Sequence, residues 1–124
     1  MMAATNDGTV GHGALAAAIS NGMVGLMHRY TGRGPVRART TIAENLVVCV
    51  LGDTLTKAEQ HLVEAGRRKL VLRGRRAIQG ALADDAMELV SGLTGREVVA
   101  FMSNNHIDPD LGVEIFVLAP VATE

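Results

Sequence analysis

The sequence predicts an α+β domain of two layers, a four-stranded, mainly antiparallel sheet with helices on one face. Three observations predict it. A pattern of helix stop, strand and strand occurs twice, over residues 30–51 and 93–118. Each copy follows a stretch with helical spacing of apolar residues. The segment between the copies opens with a helix-capping signature. The order reads α-β-β-α-α-β-β, and the repeat points to an internal αββ duplication. In the first copy Tyr30-Thr31-Gly32-Arg33 precedes Val36-Arg37-Ala38 and the apolar run Leu46–Leu51; in the second Leu93-Thr94-Gly95-Arg96 precedes Val98-Val99-Ala100 and Val113–Leu118.

The first helix is expected over 13–30, where Leu15, Ile19, Gly22, Met23, Leu26, Met27 and Tyr30 fall on one face. Gly32 suits the left-handed turn that ends a helix. His28 and Arg29 sit in the last turn, where the helix dipole favours cations. Pro35 fixes the entry to a strand in which Val36, Ala38, Thr40 and Ile42 face one way and Arg37, Arg39 and Thr41 the other. Glu44-Asn45 makes the hairpin turn. Leu46–Leu51 is apolar on both faces and reads as an inner strand.

Thr56 with Glu59 three residues on forms a capping box. The helix it starts turns Ala58, Leu62 and Val63 inward, and Gly66 breaks or bends it. A long helix of about 25 residues follows from Leu70 to Thr94-Gly95. Gly66, Gly74 and Gly80 each cost roughly 1 kcal/mol against Ala in a helix interior, which implies close packing or a kink. In the third strand Val98, Ala100 and Met102 alternate with Val99, Phe101 and Ser103. Asn104–Gly112 is read as a polar connection, and Val113–Leu118 as the last strand. The whole is one domain over 13–119, between tails at 1–12 and 120–124.

A chain of 124 residues with 48% hydrophobic content can bury one core without staples. Its aromatic residues are Tyr30, Phe101 and Phe116, too few for base-stacking platforms. Cys49 is the only cysteine, which excludes an internal disulfide and a Cys-rich zinc site. Within an apolar strand it reads as a small buried hydrophobe, and this usage fits the cytoplasm. No run approaches the roughly 20 apolar residues that span a bilayer. Net charge is −1, but residues 29–76 hold 11 Lys/Arg against 4 Asp/Glu, whereas residues 77–124 hold one Arg against 8 acids.

Six cations crowd the start of the long helix: Arg67, Arg68, Lys69, Arg73, Arg75 and Arg76. Such a face can meet phosphates, anionic lipid or an acidic partner, or can be solvated and paired with Glu59, Glu64, Asp84 and Asp85. Gly32-Arg33-Gly34-Pro35 follows a helix C-terminus, the wrong dipole end for a phosphate cradle, and reads as helix stop plus strand entry. Asp84-Asp85 and Asp108-Pro109-Asp110 lack the ligand count of a Ca²⁺ loop; they read as charge partners and turn formers. His12, His28, His61 and His106 fall in separate segments with neither metal nor catalytic spacing.

Together Thr31-Gly32-Arg33-Gly34-Pro35, Leu55-Thr56-Lys57-Ala58-Glu59, Gly66-Arg67, Leu93-Thr94-Gly95 and Val113–Leu118, in this order, carry a resemblance. The chain resembles the MpsC-type domain over residues 14–118. This is a family of small bacterial proteins named after a Na⁺-translocating, membrane-potential-generating system. Lys57 stands where the family often shows Pro, which alters only the helix start. The resemblance implies a soluble component of a membrane system for cation or bicarbonate transport, with no catalytic residue to carry over.

The expectation is a non-enzymatic cytoplasmic accessory or regulatory domain working by protein contact, without cofactor or metal. Its surface would be Arg33, Arg37 and Arg39 with Arg67, Arg68, Arg73, Arg75 and Arg76. A homodimer is expected, because edge strands need cover and the charged halves are complementary. The partners implied by the resemblance are membrane transporter subunits. An alternative is a nucleic-acid- or anion-binding module using the Arg-rich helix, against which stand the net charge and the scarce aromatics. A deep pocket lined by Arg37, Arg39 and a His would favour a small-molecule-binding or enzymatic domain, and a solid Val/Leu interior would count against it.

Overall fold

The computed structural model describes residues 12–121. Its elements are α1 (His12–Thr31), β1 (Arg37–Ala43), β2 (Leu46–Gly52), α2 (Lys57–Glu64), α3 (Arg68–Thr94), β3 (Val98–His106) and β4 (Leu111–Leu118). The four strands form one sheet in the order β1-β2-β4-β3, antiparallel throughout. Helices α1 and α3 cover one face, and α2 packs on the start of α3. The expected tails lie almost wholly outside the described residues.

The duplication is visible in hydrogen bonds. Thr31 Oγ1 donates to Met27 O at 2.8 Å, and Thr94 Oγ1 to Val90 O at 2.7 Å. The amide of Arg33 and that of Arg96 each donate to the hydroxyl two residues back, at 3.2 Å. Gly32 and Gly95 adopt φ of 80° and 70°, the left-handed turn that a Cβ would strain. Each Arg then ties its corner to main-chain carbonyls: Arg33 to Asp53 and Leu55, Arg96 to Glu44 and Ala119.

The inner strands β2 and β4 pair about a local two-fold. Placing Leu46 on Val113 carries the pair Leu46–Val117 onto Val113–Val50 and leaves Val48–Ile115 on itself. Val47, Cys49 and Leu51 from β2 and Phe116 and Leu118 from β4 point under the helices. There they meet Ile19, Met23, Leu26 and Met27 of α1 and Leu82, Ala86 and Val90 of α3. Phe101 lies against Phe116 with ring centroids 5.0 Å apart. The helices approach closely at Gly22, where a Cβ would stand 2.7 Å from the Leu89 methyls. A smaller cluster of Leu55, Val71 and Ile107 seals α2 onto the sheet end.

Three sequence expectations change. The polar connection 104–112 shrinks, because β3 runs on to His106 and β4 starts at Leu111. A register shift between Val98 and Ala100 breaks the expected alternation, so Val98 joins Phe101 and Ser103 on the helix side while Met102 faces out. Gly66 does break the capped helix, at φ 80° between α2 and α3, so the helix-interior cost expected of it does not arise. Gly74 and Gly80 are inside α3, yet nothing lies within 4 Å of where their Cβ would be. No contact among the described residues explains them.

These environments predict opposite signs for one kind of substitution. Gly74→Ala adds helix propensity in open space and should stabilise by about 1 kcal/mol. Gly22→Ala must push the Leu89 methyls aside and should lose that gain and up to about 1 kcal/mol more. Urea unfolding of both variants checks the pair.

Candidate functional site

The chain gathers its polar side chains where the β2–α2 connection meets α3. Asp110, at the start of β4, accepts from the Thr54 hydroxyl at 2.9 Å and from the Leu55 amide at 2.9 Å. Arg33 donates to Asp53 O at 2.7 Å and to Leu55 O at 2.6 Å from the other side. So held, the loop delivers Thr56 as the N-cap of α2. The capping box forms: Glu59 N donates to Thr56 Oγ1 at 3.1 Å, and Thr56 N to Glu59 Oε1 at 2.8 Å.

Glu59 has a second task. Arg75 Nε donates to its Oε2 at 2.9 Å, and Arg75 Nη2 reaches Oε1, a two-pronged ion pair. Nη2 also donates to Thr54 O at 2.6 Å. Arg75 is fully buried, so this pair stands in low dielectric and clamps α2 and its loop to α3.

One turn further along α3, Gln79 and Asn105 exchange amide hydrogen bonds of 3.2 and 2.9 Å. Gln79 Nε2 also donates to Glu114 Oε2 at 3.3 Å. Glu114 is wholly buried at the position where the first copy of the repeat has Val47. Burial pushes its carboxyl up to about 8, against a partial pull downward from the Gln79 amide, the Ser103 hydroxyl and the Arg75 charge. Glu114 is therefore neutral at pH 7, and the cluster holds one ion pair plus one proton. Arg75 Nη1 and Glu114 Oε1 have no hydrogen-bond partner. Cys49, across the strand pair from Glu114, has its thiol pushed up by burial.

The second assembly is the sheet face turned away from the helices. Val48, Val50, Val113, Ile115 and Val117 make an apolar stripe on the inner strands, extended by Met102 on β3. Nothing in the described chain covers it: Val50 is 41% exposed and Met102 52%. Arg37 and Arg39 edge it on β1, and Asn104 and His106 on β3. None of the strand residues on this face is acidic. A shallow depression joins Arg37 and Arg39 to Val50 and Leu111.

The residues expected to form one basic surface are split between places. Arg75 is a correction: it lies in the interior, paired with Glu59. Arg33 is half-buried and spent on carbonyls. Arg37 is exposed and paired with Asp53 at 2.7 Å, while Arg39 is exposed beside it. Arg67, Arg68, Arg73 and Arg76 are exposed around the start of α3, and none has an ion-pair partner among the described residues. Asp85 pairs with Arg29 and accepts from the Tyr30 hydroxyl at 2.7 Å, which raises the phenol's pKa. Glu114 and Gln79 went unnoticed in the sequence. For Gln79 the signal is helical spacing, since Val71, Arg75, Gln79, Leu82, Ala86 and Val90 trace the buried stripe of α3; for Glu114 it is strand alternation, which sets it on the same face as Phe116 and Leu118. Among the described residues, no three His, Cys, Asp or Glu side chains gather as metal ligands.

A family model described as Na⁺-translocating membrane potential-generating system (MpsC) matches residues 12–120. No curated protein and no solved structure matches the chain.

The buried cluster makes stability depend on pH. The folded chain keeps a proton on Glu114 that the unfolded chain releases near 4.5. Stability therefore falls as pH rises from there to about 8, by up to about 1.4 kcal/mol per pH unit, and levels off above. Glu114→Gln should remove that slope and be the more stable protein at the alkaline end. Equal slopes for both proteins in urea unfolding would show Glu114 already charged in the fold. Arg75→Ala leaves Glu59 half-buried without its counter-charge and should cost about 3–5 kcal/mol.

Proposed function

The chain belongs to the MpsC family, and on that premise we propose that it is a non-enzymatic, cytoplasmic accessory or regulatory component of a membrane cation-transport system, acting by protein contact. The observation that carries this is the uncovered apolar face of the sheet. A contiguous apolar surface on a small domain is a docking surface by default, because leaving it in water is unfavourable. Its edge names the chemistry of the occupant: a segment with an apolar face and carboxylates along one side, to meet Arg39 and Arg37. Among the described residues no helix is long and apolar enough to cross a membrane. The sheet face would supply the attachment to subunits that do.

A second reading has its own observation. Arg67, Arg68, Lys69, Arg73 and Arg76 are exposed at one end of α3 and have no ion pair among the described residues, which favours an anionic ligand such as nucleic acid. The two readings use different residues and separate cleanly.

Val50 and Met102 are exposed, so replacing both by Asp should leave the fold intact as judged by circular dichroism. The double substitution is expected to abolish recovery of integral-membrane subunits with the tagged protein from native membranes. Recovery undiminished by it overturns the sheet-face reading. A nuclease-sensitive complex that dissolves steeply with salt supports the second reading instead.

A further inference from the structure

The outer ridge of α3, on the far side of the molecule from the open sheet face, is also unpartnered. At 3.6 residues per turn, Arg73, Arg76, Ala77, Gly80, Asp84 and Glu88 lie together along it, and all are exposed. Its first half is positive and its second half negative. Arg73, Arg76, Asp84 and Glu88 have no ion-pair partner among the described residues. They have no means of pairing with each other: at 1.5 Å per residue, Arg76 and Asp84 stand about 12 Å apart along the axis. Between the two halves lies Gly80, near the middle of the 27-residue helix, with open space where its side chain would be.

We propose that α3 packs antiparallel against α3 of a second copy of this chain, crossing at Gly80. Setting Gly80 opposite the partner's Ala81 brings Arg73 level with the partner's Glu88 and Ala77 level with the partner's Asp84. Arg76 then lies about one residue rise, roughly 1.5 Å along the axis, from the level of the partner's Asp84. The arrangement is isologous, so every contact occurs twice around the two-fold. The small side chains at the crossing let the backbones approach, and this accounts for a glycine that costs helix stability while no described residue crowds the place of its missing side chain. A parallel arrangement would set like charges together, which fixes the direction. The charge asymmetry between the two halves of the sequence thereby gains a structural use.

Sedimentation velocity over a concentration series, at low and high salt, tests the proposal. The protein should dimerise, and added salt should weaken the dimer. Arg73→Glu and Glu88→Arg, each alone, should weaken it on the order of tenfold or more. The double variant R73E/E88R restores opposite charges at both ends and should recover the dimer. Gly80→Leu, at an exposed helix position, should keep the monomer folded while abolishing association. A protein that stays monomeric throughout the series overturns the proposal. A dimer indifferent to both single reversals does so too, and one lost in V50D/M102D would place the contact on the sheet face.

Discussion

The pairing of β2 with β4 is the constraint on which the rest of the structure depends. Each αββ half has a hairpin with one apolar face and a helix to cover it, but a two-stranded hairpin is marginal alone. Joining the halves through their inner strands makes one four-stranded sheet and places both helices over it. Because strand side chains alternate, the register about Val48–Ile115 decides what is inside. It sends Val47, Cys49, Leu51, Phe116 and Leu118 under the helices. By the same alternation it sends Val48, Val50, Ile115 and Val117 to the other face. A one-residue slip would exchange the sets, and Glu114 would then be solvated. Its burial is therefore a mark of the register the chain adopts.

Glu114 is also where the two halves stop being equivalent. Its counterpart Val47 is an ordinary core residue. The asymmetry is matched by the inserted α2, which only the junction between the copies contains. Glu59 caps α2 and neutralises Arg75, so the formation of that short helix and the burial of the guanidinium are one event. Arg75 has a single full negative partner, already engaged, and a second ionised carboxylate at Glu114 would face desolvation with no dedicated counter-charge. Keeping a proton there resolves the imbalance. Buried ion pairs of this kind contribute little net stability compared with apolar packing; they disfavour wrong arrangements, here any in which α2 docks without Glu59 in place.

What was legible in the sequence was local. The Thr-Gly-Arg stops, the Thr56–Glu59 box and the Glu44-Asn45 turn are set by hydrogen bonds within a few residues, and all appear where the sequence placed them. The inner position of Leu46–Leu51 was readable from its apolar character on both faces. The bulge near Val99 was not, because an extra residue in one strand changes only the pairing with its neighbour. Arg75 was grouped with its charged neighbours by composition. Its burial depends on helical phase, and six cations in ten residues obscure the stripe from Val71 through Gln79 to Leu82. Along β4, Val113, Ile115 and Val117 alternate with Glu114, Phe116 and Leu118; which set the helices cover is decided by contacts distant in sequence.

The two unpartnered faces lie on opposite sides of a two-layer molecule, and that has a consequence for assembly. A two-fold through the outer ridge of α3 would bury the helical layers of both copies against each other, leaving the sheets outermost. The assembly would then present two identical apolar faces pointing away from each other, each edged by Arg37 and Arg39. Such a body suits bridging two partners better than lying flat on one surface. If both partners belong to one membrane assembly, the second contact would be strengthened by the high local concentration that the first creates. Weak single contacts would then suffice, which agrees with a face whose apolar centre spans the two inner strands and whose edge charges are few.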